Sequence, residues 1–105
     1  MTTLSEAIKK IKSTDLVKVV INKKFWIFGV QKNGLSTHKY YRMILERFWM
    51  EVDDIQMETT KEGRLCWKIY ISSDYLEKEI LEEEDRWYEY NFIKISYRKD
   101  DDYDF

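Results

Sequence analysis

The sequence predicts an α+β domain: a mostly antiparallel sheet of about five strands with helices packed on one face. Two observations carry this expectation. Along the 105 residues, hydrophobic periodicity switches between a helical repeat and strand-like alternation. Two pairs of strand-like segments are also joined by the short connections Asn22-Lys23-Lys24 and Lys61-Glu62-Gly63, which suit only antiparallel neighbours. The expected order is αββαββ(α)β, forming a single domain over residues 1–105 with an acidic tail at 99–105.

Thr3-Leu4-Ser5-Glu6 reads as a capping box, in which the hydroxyl and the carboxylate each satisfy an amide at the start of a helix. Leu4, Ala7, Ile8 and Ile11 then make one apolar stripe, and Lys9, Lys10 and Lys12 sit where the helix dipole favours cations. Leu16 to Ile21 is a β-branched, nearly continuous apolar run, the pattern of a strand buried on both faces. Phe25 to Val30 reads as its hairpin partner, and Gly29 inside it suggests a bulge or a close backbone approach. Gln31 to Gly34 is a turn. From Ser36 to about Glu51, Tyr41, Ile44, Leu45, Phe48 and Val52 recur at helical spacing, which predicts the main helix.

Ile55 to Thr60 and Arg64 to Ser72 read as the second hairpin. Leu65, Trp67, Ile69 and Ile71 alternate there with Cys66, Lys68 and Tyr70, a half-buried pattern. Ser73-Asp74 suits the cap of a short helix over 75–84 with Leu76, Ile80 and Leu81 inward. The run Glu82-Glu83-Glu84 opposes the dipole at its end. Trp87 to Arg98 reads as a long last strand, whose uncovered edge would invite a homodimer.

Composition narrows the function classes. Charged residues make up 36% and aromatic residues 16%, far too aromatic for a disordered chain. No run approaches the length of a membrane span, the N-terminus is not that of a signal peptide, and Cys66 is the only cysteine. These features predict a cytoplasmic protein. Abundant Lys and Ile are what an AT-rich coding genome tends to produce, which points to a low-GC bacterium, its phage or an archaeal virus.

Chemistry-bearing motifs are absent from the sequence. One histidine, His38, and one cysteine cannot supply the paired ligands of a zinc site. Gly29, Gly34 and Gly63 are too scattered for a phosphate-cradling loop. Asp53, Asp54 and Glu58 form the best candidate carboxylate cluster, and such loop-edge clusters are ordinarily just solvated. The expectation is therefore a binding protein with no catalytic residues, no metal and no cofactor.

Charge divides along the chain. Residues 1–50 carry ten Lys/Arg against three Asp/Glu, and residues 51–105 eight against seventeen. Either the two halves lie against each other and neutralise, or they reach solvent as separate patches and bind something. The second alternative predicts a small protein-binding modulator or inhibitor, anti-CRISPR-like or nucleic-acid-mimicking. Its target would be a host protein of nucleic-acid handling or defence. Its acidic surface would comprise Glu77, Glu79, Glu82, Glu83, Glu84, Asp85, Asp100, Asp101, Asp102 and Phe105. The competing expectation is direct binding of single-stranded nucleic acid by Lys23, Lys24, Trp26, Phe28, Lys39, Tyr40 and Arg42, where cations follow phosphates and exposed rings stack on bases.

The last six residues, Asp100-Asp101-Asp102-Tyr103-Asp104-Phe105, resemble the acidic C-terminal tip of bacterial single-stranded-DNA-binding proteins. Tyr103 and Asp104 stand where that tip has an aliphatic residue and proline. The resemblance covers only these residues and implies docking on a partner protein through Asp102 and Phe105. The body of the chain does not follow that family's barrel, since its main predicted helix comes after the second strand.

Overall fold

The architecture comes from a computed structural model, which describes residues 1–91 and 97–99, with side chains through Glu84. Helix α1 (Leu4–Lys9) is followed by β1 (Leu16–Ile21), β2 (Phe25–Gln31), a 3-10 segment (Lys32–Thr37) and helix α2 (Tyr41–Leu45). Then come β3 (Asp54–Thr59), β4 (Leu65–Ile71), α3 (Asp74–Asn91) and the three-residue β5 (Tyr97–Lys99). The expected α+β order is present.

The sheet is mixed, ordered β3-β4-β1-β2 with β5 added beside β2. Both hairpins are antiparallel as expected, but they join through β1 and β4, which run parallel. Turn chemistry fixes direction only within a hairpin. The join is set by matching apolar faces, with Val17 beside Trp67, Val19 beside Ile69 and Ile21 beside Ile71. Those β1 residues, with Phe25, Ile27, Ile69 and Ile71, meet Leu4, Ala7, Ile8, Ile44, Leu76 and Ile80 of the helices in one core. The opposite face is buried as well: Lys18, Val20 and Cys66 are fully inside and Lys68 nearly so. The half-buried pattern expected of β4 is thus corrected, because a parallel central pair requires cover on both sides.

Gly29 does mark a bulge. The β1–β2 register shifts between Val17 and Lys18, skipping Gly29, and Phe28 and Gly29 both have positive φ, at 77° and 72°. Phe28 is thereby held among the core residues, rather than exposed beside Trp26.

Two helices depart from expectation. The periodic run 36–51 does not form one long helix: α2 ends at Leu45, and the amides of Arg47, Phe48 and Met50 then donate to carbonyls three residues back in successive tight turns. Leu4 N–H donates to Met50 and Ser5 N–H to Phe48, at 2.7 and 3.0 Å, so this segment satisfies orphan amides of α1. The α1 capping box is present, and Lys32 Nζ donates to the carbonyls of Lys9 and Ile11 at the other end of that helix. Conversely, α3 continues through Asn91, so Trp87–Asn91 is helical rather than strand. The Glu run therefore lies inside the helix, away from the terminus where the dipole would oppose it. The remainder of the expected last strand, residues 92–96, lies outside the described residues.

Asn22 ties the first hairpin to α3. It and Lys23 occupy the left-handed region, at φ 54° and 58°, which closes the tight turn. Its side-chain carbonyl accepts from Ser73 N–H at 2.8 Å, while its amide nitrogen donates to Asp74 and to Glu77 at 3.1 and 2.7 Å. Ser73 Oγ accepts from Leu76 N–H, so the cap expected at that position is present. Glu77 also accepts from Lys24 at 3.1 Å. The bonds from Asn22 and then Lys24 hold the Glu77 carboxyl below its ordinary pKa of 4.5.

A folded-state pKa below the unfolded one adds stability at neutral pH that is lost as pH falls through the folded value. Urea denaturation of Asn22→Gly, which keeps the turn but loses the bonds, is expected to show a loss of about 1 kcal/mol. Asn22→Ala, which also strains the turn, should lose about 2 kcal/mol. Either variant should flatten the decline in stability below pH 4.5.

Candidate functional site

The charged halves of the chain meet. Among the described residues, four ion pairs join them: Lys18–Glu58 at 3.9 Å, Lys24–Glu77 at 3.1 Å, Lys39–Glu84 at 3.2 Å, and Arg47–Glu79. Glu84 is buried and also accepts from the Tyr40 hydroxyl. Within the expected acidic surface, then, Glu77, Glu79 and Glu84 are engaged inside the fold. Glu82 is exposed and Glu83 half-exposed. The Asp85 side chain, with Asp100, Asp101, Asp102 and Phe105, lies outside the described residues.

The expected nucleic-acid-binding set is not brought together as a stacking platform. Phe28 and Tyr40 are buried in the core, and a ring with no exposed face cannot stack on a base. Trp26 is half-buried, with the ammonium of Lys18 4.2 Å from its ring centroid. Lys39 is half-buried on Glu84; Lys23, Lys24 and Arg42 are exposed, with Lys24 paired to Glu77.

His38 is half-buried rather than a surface residue. Its ring meets the edge of Phe28 at 4.7 Å and its Nδ1 accepts from Tyr40 N–H at 3.2 Å. Burial, then Lys39, lower its pKa, with Glu84 acting against them. Cys66 is fully buried rather than half-buried, and that burial pushes its thiol up to about 11, despite nearby Lys18. A thiol so placed stays protonated at neutral pH and is a poor nucleophile. The three carboxylates of the candidate cluster have different partners: Asp53 accepts from Ser72 Oγ, Asp54 from Ile55 and Gln56, and Glu58 faces Lys18. No group of three or more His, Cys, Asp or Glu among the described residues is placed to hold a metal.

What the fold does present is an aromatic patch built on α2, the turn after it and the start of α3. Trp49 is 75% exposed and Tyr75 71% exposed. They are linked through Glu46 and Arg47. The Trp49 indole donates to the Glu46 carbonyl at 3.0 Å, and the Glu46 carboxylate lies 3.8 Å from Arg47. The Arg47 guanidinium lies 5.6 Å from the centroid of the Tyr75 ring and pairs with Glu79. Arg47 also donates to the Met43 carbonyl at 2.9 Å, so the guanidinium beside the Tyr75 ring is fixed from both helices. Trp, Tyr and Arg are the residue types that dominate binding energy in protein interfaces. Sequence reasoning missed this patch because Tyr75 was read only as part of a weak helix and Trp49 fell between the apolar positions of the predicted long one.

No helix among the described residues is long and apolar enough to cross a membrane. No family model, curated protein or solved structure matches the chain.

Tyr40→Phe leaves the buried Glu84 carboxylate without that hydroxyl and is expected to cost about 1–3 kcal/mol in urea denaturation. An aromatic disulfide reagent added at pH 8 should modify Cys66 no faster than the chain unfolds, and at once in denaturant. Rapid modification of the folded protein would contradict the burial described.

Proposed function

We propose that this chain is a protein-binding modulator with no catalytic chemistry of its own, an inhibitor carried by a phage or other mobile element. Its target is a host protein of nucleic-acid handling or defence. The observation that carries the protein-binding reading is the connected patch of Trp49, Arg47 and Tyr75. It has two large, well-exposed rings, and the guanidinium beside Tyr75 is already held in place, so little entropy of that side chain is lost on docking.

The choice of target rests on charge. The exposed Glu82 on α3, and the aspartates at 100–102 in the sequence, supply carboxylates of the sign that competes with phosphates for a basic groove. Because Glu77, Glu79 and Glu84 are bound internally, the aromatic patch supplies the affinity and the remaining acids the preference for a basic partner.

Affinity capture from host cells with the tagged chain tests this reading, with Trp49→Ala and Tyr75→Ala in parallel. Both substitutions fall on exposed side chains and should leave the thermal midpoint unchanged. Each is expected to cost about 2 kcal/mol or more in binding, roughly a thirtyfold loss of affinity. Binding of the wild type should weaken as salt is raised. Capture of the same proteins by wild type and both variants, or of none, would remove the proposal.

A further inference from the structure

β3 is the edge strand of the sheet, and its residues Asp54 to Met57 are exposed. Edge strands in monomers are ordinarily blunted by charged side chains, lysine above all, by proline, a bulge, covering chain or brevity, and β3 carries two acids, Asp54 and Glu58, the second engaged with Lys18. The six residues Asp54–Thr59 contain no lysine or proline, and their register with β4 is unbroken. Ile55 and Met57 are 37% and 54% exposed and stand on the apolar face of the sheet, opposite Ile69 and Trp67. Leu65, opposite Thr59, extends this strip at 37% exposed.

The backbone pattern shows which groups point outward. Thr60 N–H donates to the Arg64 carbonyl, so Thr60 and Arg64 form a hydrogen-bonded pair. Alternation along an antiparallel ladder then turns Glu58 and Gln56 toward β4, and Thr59, Met57 and Ile55 toward the outer edge. An independent contact agrees: the Ile55 N–H takes its own neighbour's carboxylate, Asp54 Oδ1, at 2.8 Å.

We propose that a second copy of this chain pairs antiparallel with β3 about a two-fold axis through Met57, forming one continuous sheet across the dimer. Charge selects both the occupant and the register. A two-fold at Gln56 would set Asp54 opposite the second copy's Glu58, acid against acid. With the axis at Met57, Gln56 opposes Glu58, Ile55 opposes Thr59, and Met57 opposes itself. Like charges directly opposite are avoided and the apolar strip is doubled in length. This inference is independent of the aromatic patch.

Sedimentation velocity of the full chain over a concentration series, with Met57→Lys alongside, is the first test. The wild type is expected to move to twice its 13.0 kDa as concentration rises, while Met57→Lys stays at 13.0 kDa with an unchanged thermal midpoint. A wild type that remains monomeric up to its solubility limit, or a dimer that persists in Met57→Lys, overturns the proposal. Cross-linking tests the register. Opposed residues of a hydrogen-bonded pair have Cα atoms about 5.5 Å apart, within the span of a disulfide. Met57→Cys should therefore become a covalent dimer on oxidation, and Gln56→Cys should not, the native Cys66 being buried. Equal cross-linking at both positions, or at Gln56→Cys alone, overturns the Met57 axis.

Discussion

A parallel pair at the centre of a sheet leaves neither strand a face to show to water, and β1 with β4 obeys this along its length. All six residues of β1 are buried, including a lysine. The helices supply cover on one face because their apolar residues meet the odd-numbered positions of β1. On the other face, Lys18 and Lys68 lie inside, with Lys18 held between the Trp26 ring and Glu58. A charge taken out of water must be met by opposite charge and aromatic faces, so the parallel join dictates the chemistry around it. Trp26, Glu58 and Cys66 are placed by that requirement, and the thiol and the half-buried indole follow from structure rather than from reactivity.

The same reasoning explains why, among the described residues, charged groups from the two halves of the chain meet one another. β1 and β2 come from the basic half, β3, β4 and α3 from the acidic half, and the sheet order places them side by side. Lys24, Lys39 and Arg47 therefore meet glutamates of α3 across the hairpin and α2. Each exposed pair contributes little to stability. Their larger effect is on recognition, since carboxylates and ammonium groups committed to each other have less to offer a partner. Among the described residues, the most exposed rings are those of Trp49 and Tyr75.

Much of this was legible in the sequence where local chemistry decides the outcome. The capping box of Thr3 and Glu6, the bulge at Gly29, the turn at Gly63 and the boundaries of β1 each depend on a few adjacent residues. The misreadings arose where distant segments decide. The run 36–51 has a helix's periodicity, but after Leu45 the chain turns tightly and carries the carbonyls of Phe48 and Met50 to the amides of α1, a tertiary contact the periodicity does not encode. Helix α3 runs past the expected end at residue 84, where Glu84 is buried against Tyr40 and Lys39, from 40 or more residues earlier in the chain. Phe28 was assigned to the face of Trp26 by simple alternation, although the bulge correctly expected one residue later cancels that alternation. The aromatic patch needed Arg47 to bridge α2 and α3, and no local pattern announces such a contact.

The two proposed surfaces constrain one another geometrically. A two-fold through Met57 stands normal to the sheet, so both copies would carry their helices on the same face of the joined sheet. Trp49 lies five residues before β3 and Tyr75 four residues after β4, so the patch sits at the end of the sheet where β3 begins and β4 finishes. Antiparallel pairing sends the two beginnings of β3 in opposite directions. The dimer would thus present two identical patches at opposite ends of one face, leaving both accessible. Such an arrangement favours a target that is itself repeated or two-fold symmetric, because the second contact then forms at high effective concentration with no added interface. On a single isolated site the second patch would gain nothing, so the benefit of dimerisation depends on whether the target's spacing matches that between the patches.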